Sequence, residues 1–275
     1  MAYRVSDNTI EERMPWCILI NTTPKYMPLV EVQVVCIRRY AKELIDIPIF
    51  LATEMLPSDP VVSRVLKQDN VHLLSLPLSE SDFLESRVAA FNYLPAEYDI
   101  VLPLQEDFWL DRRPEYAALD EAIAILSHDE TVQSIRLMPS PGPHESDLAY
   151  HAKRRWRVLT ERDTYRFTFQ ATLWKRRPYV AFLEAVIERG RPEFERSGEE
   201  PWSKFCVRVN IAENAKGQAL FKEICMGADM VHLSVQREHK GSNAVFLCPW
   251  PYRPTAVVQG TLEPWAKEFM VREGF

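Results

Sequence analysis

Five short apolar runs punctuate the first half of the chain, each separated from the next by a stretch with helical spacing. The runs are Trp16–Asn21 (WCILIN), Ile47–Ala52, Val71–Leu76, Asp99–Leu104 (DIVLPL) and Val132–Met138. They do not alternate, which is the pattern of strands covered on both faces. Between them, Leu29–Leu44 carries Val30, Val34, Ile37, Ala41 and Leu44 on one helical face, with Arg38, Arg39, Lys42 and Glu43 mostly elsewhere. Pro60–Gln68 reads as a short helix started by Asp59 before a proline. Ser81–Leu94 presents Leu84, Val88 and Phe91 in register, and Pro114–Ser127 presents Leu119, Ile123 and Leu126. This order predicts an α/β fold: an open, mainly parallel twisted sheet with helices on both faces, joined by right-handed crossovers.

The second half has a different pattern. Pro139–Pro143 (PSPGP) breaks the chain, and a basic stretch, Lys153–Arg157 (KRRWR), follows. Tyr165–Trp174 alternates, predicting a strand with Tyr165, Phe167, Phe169, Ala171 and Leu173 on an apolar face. Its polar face would carry Thr168, Gln170 and Thr172, placed to meet a polar ligand or solvent. Pro178–Arg189 is predicted as a helix closed by Gly190, and Trp202–Lys216 as a helix with Trp202, Phe205, Val209 and Ala212 on one face. Met230–Val235 and Ala244–Leu247 are candidate strands, and Glu263–Glu273 is a terminal helix with Pro264 in its first turn. No repeat and no long linker divides the sequence, so a single domain over residues 1–275 is expected.

Composition narrows the function classes. With 47% hydrophobic and 26% charged residues, the chain can bury enough surface to offset its ordering entropy, which excludes disorder as its main state. The 33 basic against 39 acidic residues give a net charge of −6, contrary to the basic face that a nucleic-acid backbone calls for. A local basic pocket for one phosphorylated small molecule remains compatible with it. Only 8 Gly stand against 20 Pro, and neither G-x-G-x-x-G nor G-x-x-x-x-G-K-[ST] occurs, so dinucleotide and P-loop readings lose their main support. Cys17, Cys36, Cys206, Cys225 and Cys248 are scattered with no C-x-x-C, which fits a reducing, cytoplasmic compartment rather than a disulfide framework. Met1–Pro15 is polar and charged, unlike a signal peptide, and no apolar run approaches the ~20 residues that span a bilayer.

In an open α/β sheet, ligands bind outside the carboxyl ends of the strands. Those ends are Asn21-Thr22-Thr23, Thr53-Glu54 and Gln105-Glu106-Asp107. The last is the sharpest feature: a fully apolar strand runs into two carboxylates, followed by Phe108-Trp109-Leu110. Carboxylates on a rigid strand end suit a hard cation, Mg²⁺ or Mn²⁺, held together with substrate phosphates. For an isolated acidic pair, a surface or helix-capping role is the competing reading.

These motifs resemble the GT-A fold of nucleotide-sugar glycosyltransferases, especially the family-2-like ones. That family begins with a strand ending in a Thr-rich turn, where Thr22 and Thr23 stand here. It has an acid after strand two that touches the nucleoside, the place of Glu54. A D-x-D signature after strand four binds metal and diphosphate, the place of Gln105, Glu106 and Asp107, although Gln105 replaces the first acid. An Arg-Asn pair near the diphosphate has a loose counterpart in Arg87 and Asn92. The family's later acidic pair, Arg and Gly are matched in order by Glu199-Glu200, Arg208 and Gly217, with Glu-Glu in place of Glu-Asp. The resemblance covers about residues 16–217 in layout and only short motifs in sequence. It implies a nucleotide-sugar-binding half at 16–138 and an acceptor-binding half at 139–275.

What the resemblance implies is transfer of a sugar from a nucleotide-sugar donor to a carbohydrate or glycan acceptor, inverting and assisted by Mn²⁺ or Mg²⁺. Asp107 would act on the leaving diphosphate through the metal, helped by Arg87, and Glu200 would be the base, with Glu199 beside it. For Glu199, helix-start charge is the equal alternative. A non-catalytic nucleotide- or carbohydrate-binding protein on the same fold is the second reading, favoured by Gln105. A nucleotidyltransferase is a third, weakened by the glycine-free Asn21–Lys25 loop. Lys153–Arg157, His232, His239 and the rigid Cys248–Pro254 segment are weaker candidates, each with an ordinary structural role as the default.

Overall fold

The computed structural model describes residues 14–77, 83–138, 149–150, 153–161, 163, 166–198, 202–208, 215–235, 248–253, 255–258 and 260–275. In chain order the elements are β1 (Trp16–Asn21), α1 (Met27–Tyr40), β2 (Ile49–Thr53), α2 (Pro60–Val65), β3 (Val71–Ser75), α3 (Phe83–Tyr93), β4 (Ile100–Gln105), α4 (Tyr116–His128) and β5 (Val132–Arg136). There follow β6 (Ala149–Tyr150), β7 (Lys153–Val158), β8 (Thr172–Lys175), α5 (Arg176–Ser197), α6 (Trp202–Arg208), α7 (Ala215–Cys225), β9 (Val231–Val235), β10 (Val257–Val258), β11 (Thr261–Leu262) and α8 (Pro264–Glu273).

Nine strands form one sheet in the order β3-β2-β1-β4-β8-β5-β9-β7-β6. The block β3-β2-β1-β4 is parallel throughout. β8 runs antiparallel between β4 and β5, β5 and β9 are parallel, and β7 and β6 close the far edge antiparallel. The α/β architecture with a mainly parallel sheet and helices on both faces is the one the hydrophobic pattern predicts.

Strand periodicity explains how the sheet divides the core. On β1, Ile18 and Ile20 point into a cluster with Val30, Val34 and Ile37 of α1 and Leu119, Ala122 and Leu126 of α4. The alternate residues Cys17 and Leu19 point into a second cluster with Leu84 and Phe91 of α3, Phe182 and Val186 of α5 and Phe221 of α7. Both faces of β1 are buried, which is why the run shows no alternation. The second cluster is rich in rings: Phe91 stacks on Tyr179 at 4.3 Å between centroids and Phe167 meets Phe182 at 4.4 Å. Each such ring contributes roughly 1.5–3 kcal/mol through burial.

Two helix signals behave as expected. Asp59 caps α2, its Oδ1 accepting from Val61 N at 2.8 Å and Val62 N at 3.2 Å. Pro264 occupies the first turn of α8. α8 lays Ala266 and Phe269 on Leu29, Val32 and Cys36 of α1. Its end is clamped there by Glu273, which accepts from Arg39 at 2.5 Å and from the Tyr40 hydroxyl at 2.7 Å.

Three expectations for the second half are corrected. The alternating stretch Tyr165–Trp174 becomes strand only from Thr172, and its polar positions are not a solvent-facing row. Thr168 and Thr172 are buried, and Gln170 accepts from the Tyr252 hydroxyl at 2.5 Å. Ala171 and Leu173 enter the first core cluster and Phe167, Phe169 and Trp174 the second, so both faces of this segment are covered. The helix predicted to stop at Gly190 continues to Ser197 through Pro192. Gly190 serves close packing, because a Cβ there would lie 3.2 Å from the Trp202 ring. Gly198, with φ +64°, supplies the left-handed residue after the helix. Finally, of the helix predicted over Trp202–Lys216, α6 covers Trp202–Arg208 and α7 begins at Ala215, while Val209 and Ala212 lie outside the described residues. The strand expected at Ala244–Leu247 lies outside the described residues.

Candidate functional site

The site is assembled by register. In the parallel β1–β4 pair, Asn21 lies opposite Gln105, so the two strands end side by side. The residues following them, Thr22 and Thr23 after β1 and Glu106 and Asp107 after β4, line one cleft with Arg87 of α3. The cleft measures about 430 Å³ and is completed by Tyr26, Phe83, Ser86, Thr255, Val257 and Gly260. It sits at the carboxyl ends of the central strands, the general ligand position of open α/β sheets.

Arg87 is the buried cation of the cleft. Its guanidinium carbon lies 3.5 Å from the centre of the Phe83 ring and 5.2 Å from that of Phe169. Nη1 donates to Phe83 O at 2.8 Å and to Asn21 Oδ1 at 3.3 Å. Among the described residues no carboxylate comes close enough to form an ion pair with it. Desolvation draws its pKa down, opposed by the field of Tyr179 and Glu106.

The acidic strand end is held from behind. Gln33 of α1 is fully buried and its Nε2 donates to Gln105 O at 2.7 Å. The Trp109 indole N–H is shared between Glu106 O at 3.1 Å and Leu29 O at 3.2 Å. Burial pushes the Glu106 carboxyl up to about 7, Asp107 adding to the shift and Arg87 opposing it. Asp107 is buried, and desolvation likewise raises it. Its Oδ2 accepts a long bond of 3.4 Å from Val257 N, while Oδ1 has no partner among the described residues. That orphaned oxygen suits a hard cation whose remaining ligands come from phosphate and water. Among the described residues no three His, Cys, Asp or Glu side chains converge as a self-sufficient metal cage. The donor set therefore fits Mg²⁺ or Mn²⁺ as one or two carboxylate contacts, not as a complete protein site.

Of the residues expected from sequence, Thr22, Thr23, Arg87, Gln105, Glu106 and Asp107 meet at this cleft. Glu54 follows β2, one strand further from β4, and is not among the cleft-lining residues. Glu199 and Glu200 lie outside the described residues, as does His239. The basic stretch Lys153–Arg157 is part of strand β7, an ordinary structural role. In it Trp156 is buried, Arg155 pairs with Glu115 and Glu121, and Arg157 pairs with Asp163 at 2.8 Å. His232 is structural: Nε2 donates to Cys225 O at 2.6 Å and Nδ1 accepts from Ser134 Oγ at 2.8 Å. Cys248, Trp250 and Tyr252 are buried in the first core cluster, so this segment is packed rather than offered to a sugar.

The sequence reading named Asn21 and Trp109 only as neighbours of the candidate residues, and passed over Gln33 and Phe83. Asn21 had a signal, since it ends an apolar strand. Gln33 had a weaker one, a lone amide among Val32, Val34 and Val35 on an amphipathic helix.

No protein-family model matches the sequence, and no curated protein matches it. Glycosyltransferases are among the solved structures to which this one is similar. Staphylococcus aureus TarS 1–349 in complex with UDP has 10% identity over 81% of this chain and 60% of that one, with a TM-score of 0.46. The glycosyltransferase GlyE of Streptococcus pneumoniae TIGR4 has 12% identity over 81% of this chain and 45% of that one, at 0.44. A 4-diphosphocytidyl-2C-methyl-D-erythritol synthase from Anaerococcus prevotii DSM 20548 has 11% identity over 75% of this chain and 96% of that one, at 0.38. This chain thus spans about three fifths of TarS 1–349 and less than half of GlyE.

Proposed function

We propose that the protein is a glycosyltransferase whose cleft binds a nucleotide-sugar donor and passes the sugar to an acceptor hydroxyl. One observation carries this reading: a buried Arg87 that has no ion pair among the described residues and an Asp107 carboxylate oxygen with no partner among them converge on a cleft at the ends of β1 and β4. A cation-binding carboxylate together with an uncompensated guanidinium is what a diphosphate needs on its two sides. The cleft volume is in the usual small-molecule range of roughly 300–1,000 Å³. Thr22 and Thr23 offer hydroxyls at the end of β1 to the same ligand.

In the reaction, the bond from the anomeric carbon to the diphosphate oxygen breaks as the acceptor oxygen attacks, and the acceptor proton passes to a base. Arg87 stabilises the charge that grows on the departing diphosphate. Asp107, with Glu106 beside it, would hold Mn²⁺ or Mg²⁺, which when bound neutralises that same charge. Glu200 is the proposed base, with inversion at the anomeric carbon as the stereochemical consequence; Glu199 is its neighbour at the start of the segment leading into α6.

Thermal shift with UDP- and GDP-sugars, with and without Mn²⁺, tests the donor reading: a rise in Tm with one nucleotide sugar, larger with Mn²⁺, is expected. No rise with any of them removes the enzyme reading. Glu200→Gln is expected to lower turnover by about 10²–10⁴-fold with donor binding nearly unchanged, as loss of a base does. Full turnover in that variant transfers the role to Glu199 or to no side chain at all. Gln105, standing where the metal signature has its first acid, favours a second reading, a nucleotide- or carbohydrate-binding protein without turnover. Binding with neither transfer nor donor hydrolysis would establish that reading instead.

A further inference from the structure

Asn21 is buried, and both ends of its carboxamide are informative. Its Oδ1 accepts from Ser86 Oγ and from Arg87 Nη1, each at 3.3 Å. Two donors on one oxygen fix the orientation of the amide, so its Nδ2 is turned away from Arg87. That Nδ2 is shut from solvent and has no partner among the described residues, while the residue itself lines the cleft.

For stability alone this is the poorer choice of side chain. Aspartate has the same shape and would keep both accepted hydrogen bonds. It would also give Arg87 a buried ion pair and remove the orphaned donor. The charges facing Arg87 make the point sharper. Glu106 acts on it only through space, Tyr179 and Cys206 are the other groups whose field reaches it, and no acid approaches within ion-pair distance among the described residues. Asparagine thus holds the guanidinium in place without neutralising it.

We propose that Asn21 is the specificity-determining residue of the cleft: its carboxamide positions Arg87 while leaving the guanidinium uncompensated, reserving that charge for a phosphate-bearing anion. The inference rests on the reading of the cleft as a diphosphate site.

The test measures UDP and inorganic pyrophosphate binding by calorimetry at fixed Mn²⁺, for the wild type, Asn21→Asp and Asn21→Ala, alongside the Tm of each protein without ligand. Asn21→Asp is expected to hold or raise Tm and to weaken both ligands about tenfold or more, because a like charge then faces the anion. Asn21→Ala is expected to lower Tm and to weaken binding less than Asn21→Asp does. Wild-type affinity in Asn21→Asp overturns the proposal and leaves Asn21 a structural residue. A Tm for Asn21→Asp below that of Asn21→Ala overturns it too, because Arg87 would then not be short of a counter-charge. If the wild type binds neither UDP nor pyrophosphate, the diphosphate reading itself fails and this inference goes with it.

Discussion

Two regions of the molecule bury charge, and they do so in opposite ways. Under β7 and β9, Arg157 and Asp163 are both almost wholly inside and are paired with each other. Asp163 accepts from Arg157 with one oxygen, and from the backbone and hydroxyl of Thr160 with the other. His232, a few residues away in the sheet, has both ring nitrogens occupied. At the ends of β1 and β4 the inventory is similar, with Arg87, Asp107 and the amides Asn21 and Gln33, yet three of these keep an orphaned polar atom. A satisfied buried pair holds a fold in one arrangement; an unsatisfied set marks a place where a partner is expected from outside. The same residue types therefore read as structure in one half and as a site in the other, and only their partners distinguish them.

The comparison is most exposed at Asp163. Asp163→Ala leaves Arg157 buried without its counter-charge, and a loss of about 3–5 kcal/mol in urea unfolding is expected. A loss below ~1 kcal/mol would mean that the pair is solvated and the contrast with Arg87 empty.

His232 gives the next largest effect, through pH. Desolvation lowers its pKa from 6.5 to about 4, so the folded protein holds the ring neutral while the unfolded chain takes up a proton below 6.5. The stability tied to this ring is present above pH 6.5 and is lost as pH falls toward 4. Its ring resonances should stay at their neutral positions at pH 5; a midpoint near 6.5 in the folded protein would remove it from the satisfied region.

Gln33→Leu probes the wall of the cleft. It deletes one hydrogen bond to Gln105 O but also an orphaned oxygen, so stability should change by no more than about 1 kcal/mol while UDP affinity drops. Unchanged affinity would separate Gln33 from the site.

The smallest stability effect is expected for Asp107→Asn, within about 0.5 kcal/mol by urea unfolding, since a desolvated carboxylate is replaced by a neutral isostere. The Mn²⁺-dependent part of UDP binding should vanish in the same variant. A loss of several kcal/mol would instead make the bond from Val257 N the reason for Asp107, and the cleft would then resemble the Arg157–Asp163 region after all.

Much of this was legible along the chain. Unalternating apolar runs between amphipathic helices gave the parallel strands, because two-sided burial erases alternation. A proline after Asp59 gave the start of α2. Polar residues ending strands one and four gave most of the cleft, because a strand end is where a rigid backbone delivers side chains to solvent. The second half was less legible. Alternation at Tyr165–Trp174 imitated a one-sided strand, while the polar threonines had found partners inside. Gly190 imitated a helix stop, while the backbone continued and Trp202 needed the space.

By itself the sequence determined the order of elements, the division of residues between two core layers, and the polar character of the strand ends, since each follows from periodicity and local backbone preference. It did not determine which polar groups meet. The pairing of Asn21 with Gln105 across β1 and β4, the insertion of β8 beside β4, and the arrival of Val257 at Asp107 from 150 residues further on are long-range events. Whether a buried Arg or Asp is paired or left waiting depends on neighbours contributed by distant segments. Only the tertiary structure brings those together.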